Sequence, residues 1–239
     1  MTTQQIFTTQ AGLEQATLRQ ALCSRARALI PVLRARALET AKLGQLPPAT
    51  IDDFQQAGFF RIMQPKRYGG YELPPHAFFE VQMLLAEGCM SSAWVLGVVA
   101  IHNWQLGMFD ARAQQDVWGK DSSILISSSY MPVGKVKHVD GGYRLSGRWG
   151  FSSGSKHCEW VFLGAVIPPK SEGDAPDYRT FLVPRSDYKI IDNWDVSGLE
   201  GTGSHDIVVE DAWVPEHRTH RAMDGFTGNN PGCKENTNP

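Results

Sequence analysis

The feature that most constrains the fold is a change of sequence pattern near Lys120. Before it, apolar residues recur at helical spacing, beginning with a long amphipathic helix over 11–42. After it, short runs of β-branched and aromatic residues are separated by glycine and polar residues, which is typical of strands. The sequence therefore predicts an α+β chain with an all-α domain over 1–120 and a β domain over 121–225. Residues 226–239 form a tail.

In the helical half, Thr50 and Asp53 have the spacing of a capping box, which predicts the start of a short second helix that ends at Gly58. The run 93–101 is apolar on all sides and predicts a core helix with little solvent contact. An ordered loop and three further helices complete the domain, over 61–73, 76–87, 91–109 and 111–118.

The second half predicts a small antiparallel barrel or sandwich, because many short strands follow one another without a helical pattern between them. Asp140, Gly141 and Gly142 indicate a hairpin. A polar, proline-containing segment at 168–177 predicts an exposed loop, and the run 217–221 predicts a solvated loop. Strands are predicted over 123–129, 134–139, 143–151, 160–167, 178–183 and 207–214.

Bulk properties exclude several classes of protein. A net charge of −2 with a pI near 6.4 gives no reason to expect nucleic acid or an anionic membrane as partner. No signal sequence or membrane span is evident, so we expect a cytoplasmic protein. The four cysteines form no metal-ligand cluster and no disulfide framework, and neither a Rossmann, a P-loop nor a zincin motif occurs.

The most promising stretch for a ligand is 148–162, RWGFSSGSKHCEWVF, which predicts strand, short exposed break and strand. At the break, Phe151 offers a ring face, while Ser152, Ser153 and the backbone amides around Gly154 offer hydrogen-bond donors. A flat ligand could lie there. An ordinary serine-rich turn fits the same residues.

Two further features are ambiguous in the same way. The glycine-rich loop formed by Gly201, Thr202, Gly203 and Ser204 could present amides to a phosphate or a ring edge, or it could be a tight connection before a strand. His102 follows the apolar helix and could exchange a proton near neutral pH, or it could be a hydrogen-bonded structural histidine.

Longer segments carry a resemblance. WGFSSG ahead of EWVFLGA, followed by DVSGLEGTGSHDIVVEDAWVPEHR, resembles the acyl-CoA dehydrogenase superfamily. Within it, the chain is most similar to the oxygenase components of two-component flavin-dependent aromatic hydroxylases, such as those acting on 3-hydroxy-9,10-secosteroids or 4-hydroxyphenylacetate. The resemblance covers nearly the whole chain. The run ISSSYMPVG over 126–134 differs from the EPGxGSD-like motif of the acyl-CoA dehydrogenases, which argues against a CoA thioester site.

The resemblance implies an enzyme that takes reduced FMN, or alternatively FAD, from a separate flavin reductase. It would react with O2 through a flavin C4a-hydroperoxide and hydroxylate a phenolic substrate ortho to its hydroxyl, without a metal. Two alternatives are an acyl-CoA dehydrogenase-type flavin oxidoreductase and an inactive binding or assembly protein. The related proteins continue with a C-terminal four-helix bundle that builds a tetramer. The chain ends at Pro239, so we expect the bundle to be absent, as in a fragment or a truncated gene product.

The resemblance also assigns roles to residues. Phe151 takes the place of the aromatic residue beside the flavin ring, and Ser153 that of the hydroxyl facing flavin N5. His102 matches the histidine that contacts the substrate phenol. Ser128 lines the pyrimidine side of the ring and the substrate site, and Trp104 lines the substrate pocket. The remaining expected cofactor contacts are Ser152, Gly201, Thr202, Gly203 and Ser204.

Overall fold

A computed structural model describes residues 10–169 and 176–236. The helical half follows the predicted order and ends at Trp118, whereas the first strand begins at Ile126; the position of the domain boundary stays a prediction. The segment 61–73 is an ordered loop, as predicted, because its backbone bonds back on itself, for example from Leu73 N–H to Ile62 O at 2.8 Å. The helices are α1 (Gln10–Leu43), α2 (Pro48–Ala57), α3 (Pro75–Ala86), α4 (Met90–Leu106), α5 (Ala111–Trp118) and α6 (Ala222–Thr227).

Helix α2 begins differently from the prediction. Its N-cap is Pro47, which makes no side-chain capping bond, and Pro48 starts the helix. Thr50 therefore lies inside the first turn, fully buried, and the capping-box prediction was wrong. Proline is well suited to this start, because its fixed φ already matches the helix and it leaves no N–H unpaired. The predicted end is confirmed, since Gly58 adopts the left-handed conformation at φ 77°.

Helix α4 is not buried on all sides. Val95 and Val99 face the interior, but Trp94 is 44% exposed and Ile101 is only partly buried. The prediction of a core helix with little solvent contact was wrong on this side. The apolar run of α4 therefore forms two different surfaces: one packs in the helical core, and the other, at Trp94, borders a cleft.

The β half is one seven-stranded sheet in the order β5-β6-β2-β1-β3-β4-β7. Among the described strands, every neighbouring pair is antiparallel except β1 with β3, which is parallel, so the fully antiparallel prediction needs this correction. The strands are β1 (Ile126–Val139), β2 (Gly142–Ser152), β3 (Trp160–Ile167), β4 (Asp177–Pro184), β5 (Lys189–Ile191), β6 (His205–Pro215) and β7 (Thr219–Arg221).

The sheet differs from the predicted strands at three places. Residues 126–129 of the first predicted run and the whole run 134–139 belong to one strand, β1, whose register against β3 shifts between Ser129 and Gly134; residues 123–125 precede this strand. Strands β5 and β7 were missed, because three residues are too few to show an alternating pattern. The hairpin prediction is confirmed by the pairing of Val139 with Gly142.

Alternate residues of the sheet bury two separate cores. Trp149, Leu163 and Phe181 lie in the core of the sheet, whereas Phe162 and Leu182 point the other way and pack against α5 and the end of α4. This strand periodicity attaches the helical half to one side of the sheet. This packing of the helices against the sheet fixes where α4 runs across the strands. Helix α4 carries residues of both candidate sites, Trp94 and His102.

The segment after β6 also packs against the helical half. His220 is buried and stacks on Phe109 with ring centroids 5.1 Å apart, so the prediction of a solvated loop over 217–221 was wrong. Gly232 N–H donates to Met108 O at 2.9 Å, which holds the tail against the end of α4. Of the predicted exposed loop at 168–177, residues 170–175 lie outside the described residues.

Within the described ranges, no helix combines the length and the apolar character that crossing a bilayer requires. Cys23, Cys89, Cys158 and Cys233 are free thiols. The same described residues contain no group of three histidine, cysteine or acidic side chains suited to hold a metal ion.

Candidate functional site

The turn after β2 has an unusual backbone. Phe151 is a non-glycine residue at φ 62°, a left-handed conformation that bulky side chains rarely adopt, and its ring is 70% exposed. The neighbouring serines Ser152, Ser153 and Ser155 are buried, so the hydroxyls of the predicted exposed break are not exposed, whereas Phe151 is. An exposed aromatic ring on strained backbone next to buried hydroxyls is typical of a ligand site rather than of an ordinary turn.

Gly154 fixes this turn against α4 and the glycine-rich loop. Its φ is 71°, and a Cβ at this position would lie 2.9 Å from Val95 Cγ1 and 3.2 Å from Val99 Cγ2. Its N–H donates to Thr202 O at 2.9 Å. The turn therefore approaches α4 as closely as the backbone allows, and it holds the two candidate loops together.

Three hydroxyls and one indole form a hydrogen-bonded chain where the two loops meet. The Trp94 indole N–H donates to Ser153 Oγ at 3.1 Å. Ser153 Oγ lies 2.7 Å from Ser204 Oγ, which lies 2.7 Å from Thr202 Oγ1. All three hydroxyls are buried. The sequence predicted that these residues belong to one site, and the structure brings Ser153, Thr202 and Ser204 together.

A cleft of about 360 Å³ opens above these hydrogen-bonded hydroxyls and the Trp94 indole. The rings of Phe151 and Trp194 stand edge to face on its border, with centroids 6.0 Å apart. The loop between β5 and β6 forms one wall, and Leu199 in that loop has a left-handed φ of 52°. The lining residues are Trp94, Phe151, Ser153, Trp194, Val196, Ser197, Gly198, Leu199, Thr202 and Ser204.

Four of the expected cofactor contacts do not line this cleft: Ser128, Ser152, Gly201 and Gly203. Ser152 is fully buried and pairs with β6, and its hydroxyl has no hydrogen-bond partner in the described part of the chain. A Cβ on Gly201 would lie 2.3 Å from Thr40 Cγ2, so this glycine allows the loop to contact α1. Gly203, at φ 54°, lies beside the backbone at the end of α1. Close packing against α1 therefore explains why both positions are glycine.

His102 lies in a second place along α4. It follows Trp94 by eight residues, a separation of about 12 Å along a helix axis. Its ring is buried edge-on to Phe162 and Tyr130, at centroid distances of 5.6 and 6.1 Å, and Nδ1 lies 2.6 Å from Ile126 O. Burial lowers the pKa of His102 to about 4, against a smaller opposing effect of the bond to Ile126.

The protonation state of His102 follows from its partner. A carbonyl oxygen only accepts, so Nδ1 carries the ring proton and Nε2 keeps its lone pair. With a pKa of about 4, the ring is neutral at pH 7. His102 can therefore accept a hydrogen bond or a proton at Nε2, which is the chemistry expected of a residue that contacts a phenol.

Ser128 and Trp104 differ in their relation to His102. Ser128 lies two residues before Tyr130 on β1. Tyr130 donates to the side-chain amide oxygen of Gln105, and its ring borders the His102 ring. Trp104 is partly buried against the helical core. The contacts described for Trp104 therefore give it a packing role.

Sequence reasoning missed three aromatic residues at these sites. Trp94 was hidden in an apolar run that predicted core packing, and Tyr130 lies where β1 shifts register. Trp194 precedes the glycine-rich loop by seven residues, in a segment without a strand or helix pattern. The signal available for Trp94 was its position two helical turns before His102, which is meaningful only once the direction of α4 is known.

No family model matches the sequence. The chain is 45% identical over 214 residues to "Flavin-dependent monooxygenase, oxygenase subunit HsaA" of Rhodococcus jostii (strain RHA1), covering 89% of this chain and 55% of the relative. It is 36% identical over 211 residues to "FADH(2)-dependent resorcinol hydroxylase, oxygenase component" of a Rhizobium strain, covering 88% of this chain and 51% of the relative.

Solved structures agree with the sequence comparison. The crystal structure of the HsaA monooxygenase from M. tuberculosis matches with a TM-score of 0.89 at 41% identity, covering 92% of this chain and 60% of that one. XiaF from Streptomyces sp. in complex with FADH2 and glycerol matches with a TM-score of 0.82 at 30% identity, covering 90% and 54%. The predicted fold class is confirmed. The chain spans about half the length of the curated relatives it matches.

Proposed function

The chain belongs to the oxygenase-subunit family of flavin-dependent monooxygenases, and we propose that it binds reduced flavin and hydroxylates a phenolic substrate ortho to its hydroxyl, using O2. Its homologues are named oxygenase components of flavin-dependent hydroxylases, including one for resorcinol and one for p-hydroxyphenylacetate. The observation that carries the proposal is the cleft lined by Ser153 together with the aromatic residues Phe151 and Trp194.

The residues of the cleft fit a flat aromatic cofactor. Phe151 and Trp194 supply ring faces, and exposed rings lose water-contacting surface when a planar ligand covers them. Ser153 supplies a hydroxyl that can bond a ring nitrogen, such as flavin N5. A bound reduced flavin would supply the activation of O2. Ser153 would hold the ring, and Phe151 and Trp194 would keep bulk water away from it.

His102 would act on the substrate. A neutral imidazole with a pKa of about 4 is too weak a base to deprotonate a free phenol, but its Nε2 can accept a hydrogen bond from the hydroxyl. As the phenol ring attacks an electrophilic oxygen, its hydroxyl becomes strongly acidic, and the proton can then move to Nε2. His102 thereby gives the phenol phenolate character only when the reaction needs it.

The proposal extends to partners and assembly. A separate flavin reductase would supply the reduced FMN, or FAD, because relatives of this chain are named as oxygenase components or subunits. A homo-oligomer, tetrameric in the related proteins, and a cytoplasmic location belong to the same proposal and rest on the family resemblance. No metal takes part in it.

The test is a reduced-flavin reaction with a panel of phenols. The purified protein is mixed anaerobically with reduced FMN or reduced FAD and a phenol, and O2 is then added. We expect an ortho-hydroxylated product that depends on protein, flavin and phenol together. Hydrogen peroxide as the sole product with every phenol would contradict the proposal, and reduction of bound oxidised flavin by an acyl-CoA would favour a dehydrogenase instead.

A further inference from the structure

The hydrogen bond between Trp94 and Ser153 has a fixed direction. An indole N–H only donates, so Ser153 Oγ is the acceptor at 3.1 Å. A hydroxyl has one proton and two lone pairs. Ser153 therefore keeps one proton and one lone pair, which must be shared between Ser204 and whatever occupies the cleft.

The hydrogen bonds among the three hydroxyls can run in either direction. Ser153, Ser204 and Thr202 are linked by two oxygen–oxygen distances of 2.7 Å, and either member of each pair can donate. In one direction, Thr202 donates to Ser204, Ser204 to Ser153, and Ser153 into the cleft. In the other, Ser153 donates to Ser204 and Ser204 to Thr202, which leaves a lone pair of Ser153 for a donor in the cleft.

We propose that Trp94, Ser204 and Thr202 are positioning residues that make Ser153 a two-way hydrogen-bond partner for a ring nitrogen that carries a proton in one redox state and a lone pair in the other. This rests on the proposed function, because flavin N5 is such an atom: it is an acceptor in the oxidised ring and an N–H donor in the reduced ring. Rotation of the hydroxyls reverses the chain, and no covalent bond is broken.

The burial of these groups explains why the arrangement is selective. All three hydroxyls are nearly excluded from water, so an unmatched donor or acceptor at Ser153 would stay unpaired and weaken binding. The Trp94 bond occupies one lone pair in both directions and keeps Ser153 Oγ facing the cleft. The chain then adapts to the ligand by rotation alone.

The first test needs no flavin. The indole ¹H–¹⁵N resonance of Trp94 is assigned in the labelled chain by its loss in Trp94→Phe. We expect it to shift clearly in Ser153→Ala, which removes the acceptor, and to stay in place in Ser152→Ala, whose hydroxyl has no described partner. An unshifted resonance in Ser153→Ala would overturn the positioning role of Trp94.

The second test is a double-mutant cycle on anaerobic binding of oxidised FMN. Loss of one hydrogen bond should weaken binding about 3- to 10-fold in Trp94→Phe. If Trp94 acts through Ser153, Trp94→Phe added to Ser153→Ala should cause no further loss. Trp213→Phe is the matched control, because Trp213 is 48% exposed and lies on β6 outside the cleft. Additive losses would overturn the proposal.

The third test separates the two directions. Thr202→Val removes the acceptor that Ser204 needs when Ser153 accepts from the ligand, so reduced FMN should lose affinity about 3- to 10-fold more than oxidised FMN. This ratio lowers the midpoint potential of the bound flavin by about 15 to 30 mV. Equal losses for both redox forms would overturn the two-way chain. If neither form bound the wild-type protein, the proposed function and this ligand would both fail, whereas the indole resonance would still decide the role of Trp94.

Discussion

The imidazole Nδ1 of His102 donates to the carbonyl oxygen of Ile126 across a distance of 2.6 Å. This bond joins α4 to the first residue of β1, so one side chain both links the helical half to the sheet and fixes its own tautomer. Because the ring is buried, the neutral form is favoured. Both consequences can be measured.

Stability should depend on pH through His102. Its pKa of about 4 in the folded chain is below the ordinary value of 6.5, so the unfolded chain binds more protons between these values. The neutral His102 ring therefore contributes on the order of 3 kcal/mol to the free energy of unfolding. This contribution is complete above pH 6.5 and is lost as the pH falls toward 4. Denaturant unfolding at pH 7.5 and pH 4.5 measures it. His102→Asn should reduce this pH dependence, because the amide does not titrate.

Comparing asparagine with glutamine at position 102 separates the effect of the hydrogen bond to Ile126 O from the effect of the charge on the ring. An asparagine Nδ2 takes the position of Nδ1 and can still donate to Ile126 O, whereas a glutamine amide reaches past it. We expect His102→Gln to be less stable than His102→Asn by about 1 to 3 kcal/mol at pH 7.5, because the buried carbonyl loses its partner. Equal stability of the two variants would contradict the assigned bond.

Phe151 should lower the stability of the fold and strengthen the binding of flavin. Its left-handed backbone costs roughly 1 kcal/mol for any residue with a Cβ, whereas glycine adopts it freely. We therefore expect Phe151→Gly to be more stable than Phe151→Ala by up to about 1 kcal/mol in denaturant unfolding. Both variants should bind flavin more weakly than the wild type, because the exposed ring is gone. Wild-type affinity in either variant would remove Phe151 from the site.

The sequence predicted the arrangement of the chain better than the contacts at the site. Hydrophobic periodicity identified the helices and the longer strands because each buries a full stripe or face. It failed for β5 and β7, which are too short, and for the parallel pairing of β1 with β3, which depends on how the chain crosses the sheet. The same periodicity cannot say which apolar residue faces a cleft, so Trp94 was assigned to the core.

The site shows the same limit. Phe151, Ser153, Thr202 and Ser204 were predicted from residue types and family resemblance, and the structure brings them to one cleft. Gly201 was assigned to the cofactor because glycine loops often bind phosphates, yet its contact with α1 is visible only in three dimensions. Hydrogen-bond direction likewise requires distances, which a sequence does not contain.

Gly154 should tolerate a side chain less well than Gly141. Both have left-handed φ angles, of 71° and 72°, but a Cβ meets Val95 and Val99 at Gly154 and nothing within 4 Å at Gly141. We expect Gly141→Ala to cost about 1 kcal/mol of unfolding free energy and Gly154→Ala about 2 to 4 kcal/mol, since α4 must shift. Denaturant unfolding compares them. Equal costs would mean that the turn can move away from α4 freely.

Ser153 should decide how the consumed oxygen is divided between hydroxylated phenol and hydrogen peroxide. If its hydroxyl holds the flavin ring, Ser153→Ala loses a hydrogen bond in a buried site, which is worth roughly 1 to 3 kcal/mol and corresponds to about 5- to 150-fold in rate. We expect the ratio of hydroxylated product to hydrogen peroxide to fall accordingly, measured by chromatography and a peroxide assay on the same sample.

The neighbouring Ser152→Ala is the matched control for that prediction. Ser152 is as buried as Ser153, but its hydroxyl has no hydrogen-bond partner in the described part of the chain and does not line the cleft. Removing it costs no bond, so the product ratio and the unfolding free energy should stay near wild type. If both alanine variants changed the ratio equally, the effect would come from disturbance of the turn, and Ser153 would lose its assigned contact with the flavin.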